Sequence, residues 1–99
     1  MEIFRFSAPP HVSLDPIRQV VRPGDNVYTI CSATGDEPIT IEWSGIGRNL
    51  PRSATVSAGL LRFSAISVDD AGRYLCRAVN NAGEAEATAE VIVVGKQGY

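Results

Sequence analysis

Two cysteines, one histidine and one pair of adjacent aspartates are the side chains of this 99-residue chain best suited to chemistry. Neither Cys31 nor Cys76 sits in a C-x-x-C pair, so the ligand set of a structural zinc site is missing. Two cysteines are also too few for a disulfide-rich miniprotein. Nucleophilic hydrolysis needs a Ser or Cys oriented by a base, usually a histidine. His11, the sole histidine, falls in a proline-flanked leader, and no triad can be assembled around it. Asp69-Asp70 has the form of a paired carboxylate, but the plainer reading of Asp70 is a turn acceptor or a buried ion-pair partner. No glycine-rich phosphate loop follows a strand and opens a helix. The chain is therefore expected to be no enzyme, with no cofactor and no metal.

Sites for sugars and polyanions are equally sparse. Asn26, Asn49, Asn80 and Asn81 all lack the hydroxyl residue two positions on that a glycosylation sequon requires. Ser44-Gly45-Ile46-Gly47, with Glu42 upstream, has the S-G-x-G form of a glycosaminoglycan acceptor, though two glycines there turn the chain equally well. Nine basic against eleven acidic residues give a net charge of -2, which argues against nucleic acid as a partner. Arg18, Arg22, Arg48, Arg52 and Arg62 are scattered and read as solvated surface charges, where heparin binding would want a cluster. No apolar run approaches the ~20 residues that span a bilayer, so no membrane insertion is expected.

The elements that would position these residues are strands. Period-2 alternation recurs in short runs separated by Gly, Pro, Asn and Asp, and no helical stripe competes with it. Val12 to Leu14 starts a strand, Pro16 interrupts its ladder for want of an N–H, and Ile17 to Val21 resumes it. Arg22-Pro23-Gly24-Asp25 is a turn. Val27 to Ala33 carries Val27, Thr29, Cys31 and Ala33 on one face, and Ile39 to Ser44 carries Ile39, Ile41 and Trp43. A weak strand near Thr55 to Ser57 precedes Leu60 to Ser64, which points Leu61 and Phe63 inward, with Ile66 at its exit. Arg73 to Val79 turns Tyr74, Cys76 and Ala78 inward, and Glu84 to Val94 offers Ala85, Ala87, Ala89, Val91 and Val93. Seven to eight such strands make an antiparallel sandwich or barrel, and 99 residues are enough for one domain and its core. Residues 1–7 read as a leader or linker without a signal-peptide layout, 8–94 as the domain and 95–99 as a tail.

Cys31, Trp43 twelve residues later and Cys76 forty-five residues later have the spacing of a known fold. Around the second cysteine, Asp70-Ala71-Gly72-Arg73-Tyr74-Leu75-Cys76 resembles the D-x-G-x-Y-x-C motif of immunoglobulin-like domains. Ala78-Val79-Asn80-Asn81-Ala82-Gly83 resembles the A-x-N-x-x-G segment of their intermediate (I) set. The resemblance runs from about Pro9 to Val94, and the interval between the cysteines is too short for variable-type extra strands. It implies an all-β sandwich with one inter-sheet disulfide, Cys31–Cys76, and a core of Trp43, Tyr74, Leu61 and Phe63. Asp70 and Gly72 belong to the fold motif, and the Tyr74 hydroxyl should bond turn backbone. Thr29 departs from the family, where a larger apolar residue is usual, which would leave the core slightly loose. A lasting disulfide implies an oxidising compartment. Closing a loop of this length is worth ~4 kcal/mol in the chain-entropy model.

Val21-Arg22-Pro23-Gly24-Asp25 and Thr55-Val56-Ser57-Ala58-Gly59-Leu60-Leu61 look most like the tandem repeats of perlecan-type basement-membrane heparan sulfate proteoglycans. The resemblance implies a secreted, extracellular repeat that serves as spacer and protein-binding module, monomeric in isolation and flanked by similar repeats. A cell-adhesion receptor ectodomain is the alternative, and an intracellular elastic domain of muscle type, with reduced cysteines, a further one. If Asn80 to Gly83 forms the hairpin turn, Arg77 opposes Glu86, Arg73 opposes Glu90 and Leu75 opposes Thr88, all facing outward. Leu75 inside the charged rim of Arg73, Arg77, Glu86 and Glu90 is either part of a solubilising charge ladder or the face that meets a matrix or cell-surface protein.

Overall fold

The structure, a computed structural model, describes residues 7–95. The proposed leader, beyond Ser7, and the proposed tail, beyond Gly95, lie outside the described residues. Eight strands follow in order: β1 (His11–Asp15), β2 (Arg18–Val21), β3 (Val27–Thr34), β4 (Thr40–Gly45), β5 (Ala54–Ser57), β6 (Leu60–Phe63), β7 (Gly72–Asn80) and β8 (Gly83–Val93). A single 3-10 turn, Val68–Asp70, leads into β7. They form two four-stranded sheets, ordered β1-β3-β6-β5 and β2-β8-β7-β4. This is the immunoglobulin-like sandwich that the cysteine and tryptophan spacing implies.

Two expectations for the first strands are corrected. Ile17 to Val21 does not resume the ladder of the strand before Pro16. β1 pairs antiparallel with β3, whereas β2 crosses to the second sheet and runs parallel to β8. Pro16 has no N–H to continue the first ladder, and beyond it the Ile17 carbonyl accepts the Glu90 N–H at 2.9 Å in the other sheet. His11, expected in the leader, is instead the exposed first residue of β1, paired with Thr34.

The core follows from strand parity. Tyr74, Cys76 and Ala78 of β7 are fully buried, and so are Leu61 and Phe63 of β6 and Ile66 just beyond. Phe63 and Tyr74 pack with ring centroids 5.2 Å apart. The disulfide Cys31–Cys76 joins β3 to β7 and thereby one sheet to the other. Trp43 lies in register with Cys76. Its Nε1 donates to the Gly59 carbonyl at 2.9 Å, and the same carbonyl accepts the Cys31 N–H at 2.9 Å. Gly59 has a φ of +85°, and a Cβ there would lie 2.5 Å from the Cys31 carbonyl oxygen, so only glycine fits.

Thr29 does not loosen the core as the family comparison suggests. It is buried, and its hydroxyl accepts a 3.1 Å bond from Gln19 Nε2, which also donates to the Tyr28 carbonyl at 3.0 Å. A buried hydroxyl with a partner costs little, and this one ties β2 of one sheet to β3 of the other.

Candidate functional site

The outward face of the β2-β8-β7-β4 sheet brings together every residue of the expected binding surface. The β7–β8 hairpin has the anticipated register: Arg73 opposite Glu90, Leu75 opposite Thr88, Arg77 opposite Glu86. The turn holds that register because Asn80 Oδ1 accepts the N–H groups of Ala82 and Gly83, at 2.8 and 3.0 Å. Asn80 Nδ2 also donates to the Ala8 and Asp36 carbonyls, each at 2.9 Å, pinning the leading segment and the β3–β4 turn to the hairpin.

Ion pairs divide the face into two ends. Near the hairpin turn, Arg77 pairs with Glu84 and, at 3.9 Å, with Glu86, while Glu42 of β4 stands opposite it in register. The hydrogen bond to Glu84 is the first cause of a guanidinium pKa raised above its ordinary value. At the far end, Glu90 lies between Arg18 at 3.1 Å and Arg73 at 4.0 Å. Leu75, expected to project into water, is outward-facing but half-buried between Ser44 and Thr88. Ser44, on the acceptor-like S-G-x-G stretch, is exposed on the same face.

Sequence reasoning missed the roles of Ile17, Arg18, Ile46 and Arg48. Arg18 and Ile17 reach this face only because β2 joins β8 across 72 residues of chain, which no local signal reveals. Ile46 is exposed beside them. Arg48, read as a solvated surface charge, is exposed but also firmly bonded. It donates to the Asp69 carbonyl at 2.5 Å, to the Ala71 carbonyl at 3.2 Å and to the Tyr74 hydroxyl, and its guanidinium lies 5.6 Å from the Tyr74 ring centroid. A lone arginine in a glycine-rich loop carries no sequence sign of that role.

Of the acids beside it, Asp70 is structural. Asp70 is buried, and its Oδ2 accepts the Ser67 N–H at 3.0 Å and the Ser53 hydroxyl at 2.9 Å. It is the turn acceptor of the two roles expected for it. Tyr74 donates its hydroxyl to the Asp70 carbonyl, as a tyrosine corner does. Burial pushes the Tyr74 pKa above its usual value. The Arg48 charge and hydrogen bond pull it back, and the Asp70 charge raises it further.

A protein-family model, the immunoglobulin I-set domain, matches residues 10–93. The chain is 38% identical over 93 residues to the basement membrane-specific heparan sulfate proteoglycan core protein of Mus musculus, covering 94% of this chain and 2% of that protein. It is 40% identical over 90 residues to MAM domain-containing glycosylphosphatidylinositol anchor protein 1 of Gallus gallus, covering 88% of this chain and 10% of that one. Among solved structures, the N-terminal four Ig domains of Dscam1 isoform 1.9 superpose with a TM-score of 0.75 at 30% identity, covering 89% of this chain and 22% of the other. The chain thus spans a small fraction of each relative.

Proposed function

The chain belongs to the immunoglobulin I-set family, and from that premise we propose that it is an extracellular repeat, a spacer and protein-binding module of a modular matrix protein of the basement-membrane proteoglycan kind. The observation that carries the reading is the outward β2-β8-β7-β4 face. Here a half-buried apolar residue, Leu75, is ringed by Arg73, Arg77, Glu86 and Glu90 while the interior is filled by the disulfide, Trp43 and Tyr74. A filled sandwich offers its surface to partners, not an interior cavity, and an apolar centre within a charged rim is how protein interfaces are built. The similarity to a proteoglycan core protein supports the matrix setting. The partners are matrix or cell-surface proteins, together with neighbouring repeats. A cell-adhesion ectodomain is the second reading, favoured by the likeness to the anchored MAM-domain protein and to Dscam1.

The test compares wild type, Leu75→Glu and Arg62→Glu as immobilised baits for a solubilised basement-membrane extract. Arg62 is exposed on the opposite sheet. Leu75→Glu is expected to lose captured protein by about 1–3 kcal/mol in affinity, as at an interface centre, and Arg62→Glu to match wild type. Equal capture by all three, with folding verified by thermal melts, removes this face from the reading.

A further inference from the structure

We propose that the β2 end of this face is a docking groove for a protein segment that presents a carboxylate flanked by apolar side chains. The inference rests on the proposed protein-binding role and names its chemistry. A shallow depression there is lined by Ile17, Arg18, Ile46, Arg73, Thr88 and Glu90. Two arginines share one carboxylate, so this end carries a surplus positive charge. Arg18 Nε reaches Glu90 at 3.1 Å, a true hydrogen bond. The Arg73 separation of 4.0 Å is ionic contact without one. The Arg73 guanidinium makes no hydrogen bond to a side chain or carbonyl among the described residues, and its side chain is 68% exposed. A free guanidinium fork matches a carboxylate bidentately.

Two large apolar side chains flank that cation, with Ile17 59% and Ile46 48% exposed. Both are anchored: the Ile17 carbonyl accepts the Glu90 N–H at 2.9 Å, and the Ile46 N–H donates to the Arg73 carbonyl at 3.1 Å. The groove is thus preformed on the sheet and costs little to order on binding.

The opposite end of the face selects against the wrong ligand. There Arg77 faces Glu42, Glu84 and Glu86, three anions to one cation. A sulfated polysaccharide laid along the face would gain one arginine and meet those acids, in a chain whose net charge is already -2. A short acidic segment with apolar neighbours fits the cationic end and avoids the anionic one. Charge placement of this kind gives orientation as well as attraction.

Titrating the 15N-labelled full chain with acetyl-Leu-Glu-Leu-amide, its Leu-Gln-Leu analogue and a heparin-derived hexasaccharide tests the groove. The acidic peptide is expected to shift the amides of Ile17, Ile46, Arg73, Thr88 and Glu90. The glutamine peptide should bind roughly tenfold or more weakly. Arg73→Ala should lose a similar factor, while Arg62→Ala keeps wild-type shifts. No shift at about 10 mM acidic peptide, equal shifts with the glutamine analogue, or shifts on the β1-β3-β6-β5 sheet overturn the proposal. So does a hexasaccharide that moves the same amides at lower concentration. If the peptide fails while Leu75→Glu still loses matrix capture, the carboxylate specificity falls and the binding face stands. If Leu75→Glu also keeps capture, the face falls with it.

Discussion

Alternate residues of β7 meet two different environments within one strand. Tyr74, Cys76 and Ala78 face inward, are fully buried, and are held by the disulfide, Trp43 and Arg48. Arg73, Leu75 and Arg77 face outward, and the two arginines make ion pairs whose members are 37–68% exposed. Each inward residue has partners that water cannot replace, because an unpaired buried polar group costs its full desolvation. Each outward charge can exchange its partner for water at almost no loss. The fold is therefore written on one side of the strand, and the other side is left largely free of the constraints of folding.

The strongest test of that contrast is Trp43→Ala. It empties the space beside Cys76 and removes the Nε1 bond to Gly59, so chemical denaturation should show a loss of about 3–5 kcal/mol. A loss below about 1 kcal/mol would mean that the inward side tolerates voids, and the contrast would fail.

Tyr74→Phe isolates one polar tie on the inward side. It keeps the ring against Phe63 but removes the donor to the Asp70 carbonyl and the acceptor for Arg48. The expected cost at neutral pH is about 1–3 kcal/mol, from groups left unpaired. Its pH dependence sharpens the case. A folded-state pKa raised above the unfolded value, near 10 for tyrosine, means that the folded chain holds its proton longer. That stabilisation is complete below pH ~10 and is lost as pH rises through the folded pKa. Wild type should therefore weaken on the alkaline side more steeply than Tyr74→Phe. Parallel alkaline profiles for the two would sink this account.

Asn80→Ala tests a residue between the two classes, half-buried yet bonded at both ends of its amide. About 1–2 kcal/mol should be lost, with faster hydrogen exchange at the Asp36 amide, which the Ala8 carbonyl accepts at 2.9 Å. Unchanged exchange there would show that the Ala8–Asp36 bonds hold the leading segment without help from Asn80.

How far the sequence could be read divides along the same line. The β7–β8 register was legible because Asn80 to Gly83 is a short turn, and a short turn fixes every pair that follows. The burial of Cys31, Trp43, Leu61, Phe63, Tyr74 and Cys76 was legible from alternation together with the family motif. The sheet exchange at Pro16 was not, because the proline marks only where a ladder stops and not where the chain goes next. Arg48 was missed because its acceptors are 21–26 residues away and two of them are backbone carbonyls, which no side-chain pattern announces. Arg18 escaped notice for a like reason: its carboxylate partner is 72 residues distant, in a parallel pairing. Local periodicity identifies faces, and long-range polar ties must be seen in three dimensions.

The smallest effect is expected from the outward ladder itself. Arg77→Gln removes the pairs to Glu84 and Glu86 but leaves Leu75, the hairpin turn and every inward contact in place. Both partners are solvent-exposed, so water and salt already compete for them. The thermal midpoint should match wild type at high salt and differ no more than marginally at low salt. A midpoint that falls as far as that of Asn80→Ala, and stays there at high salt, would mean the ladder helps to hold the hairpin together. The outward side of β7 would then be constrained by folding as the inward side is.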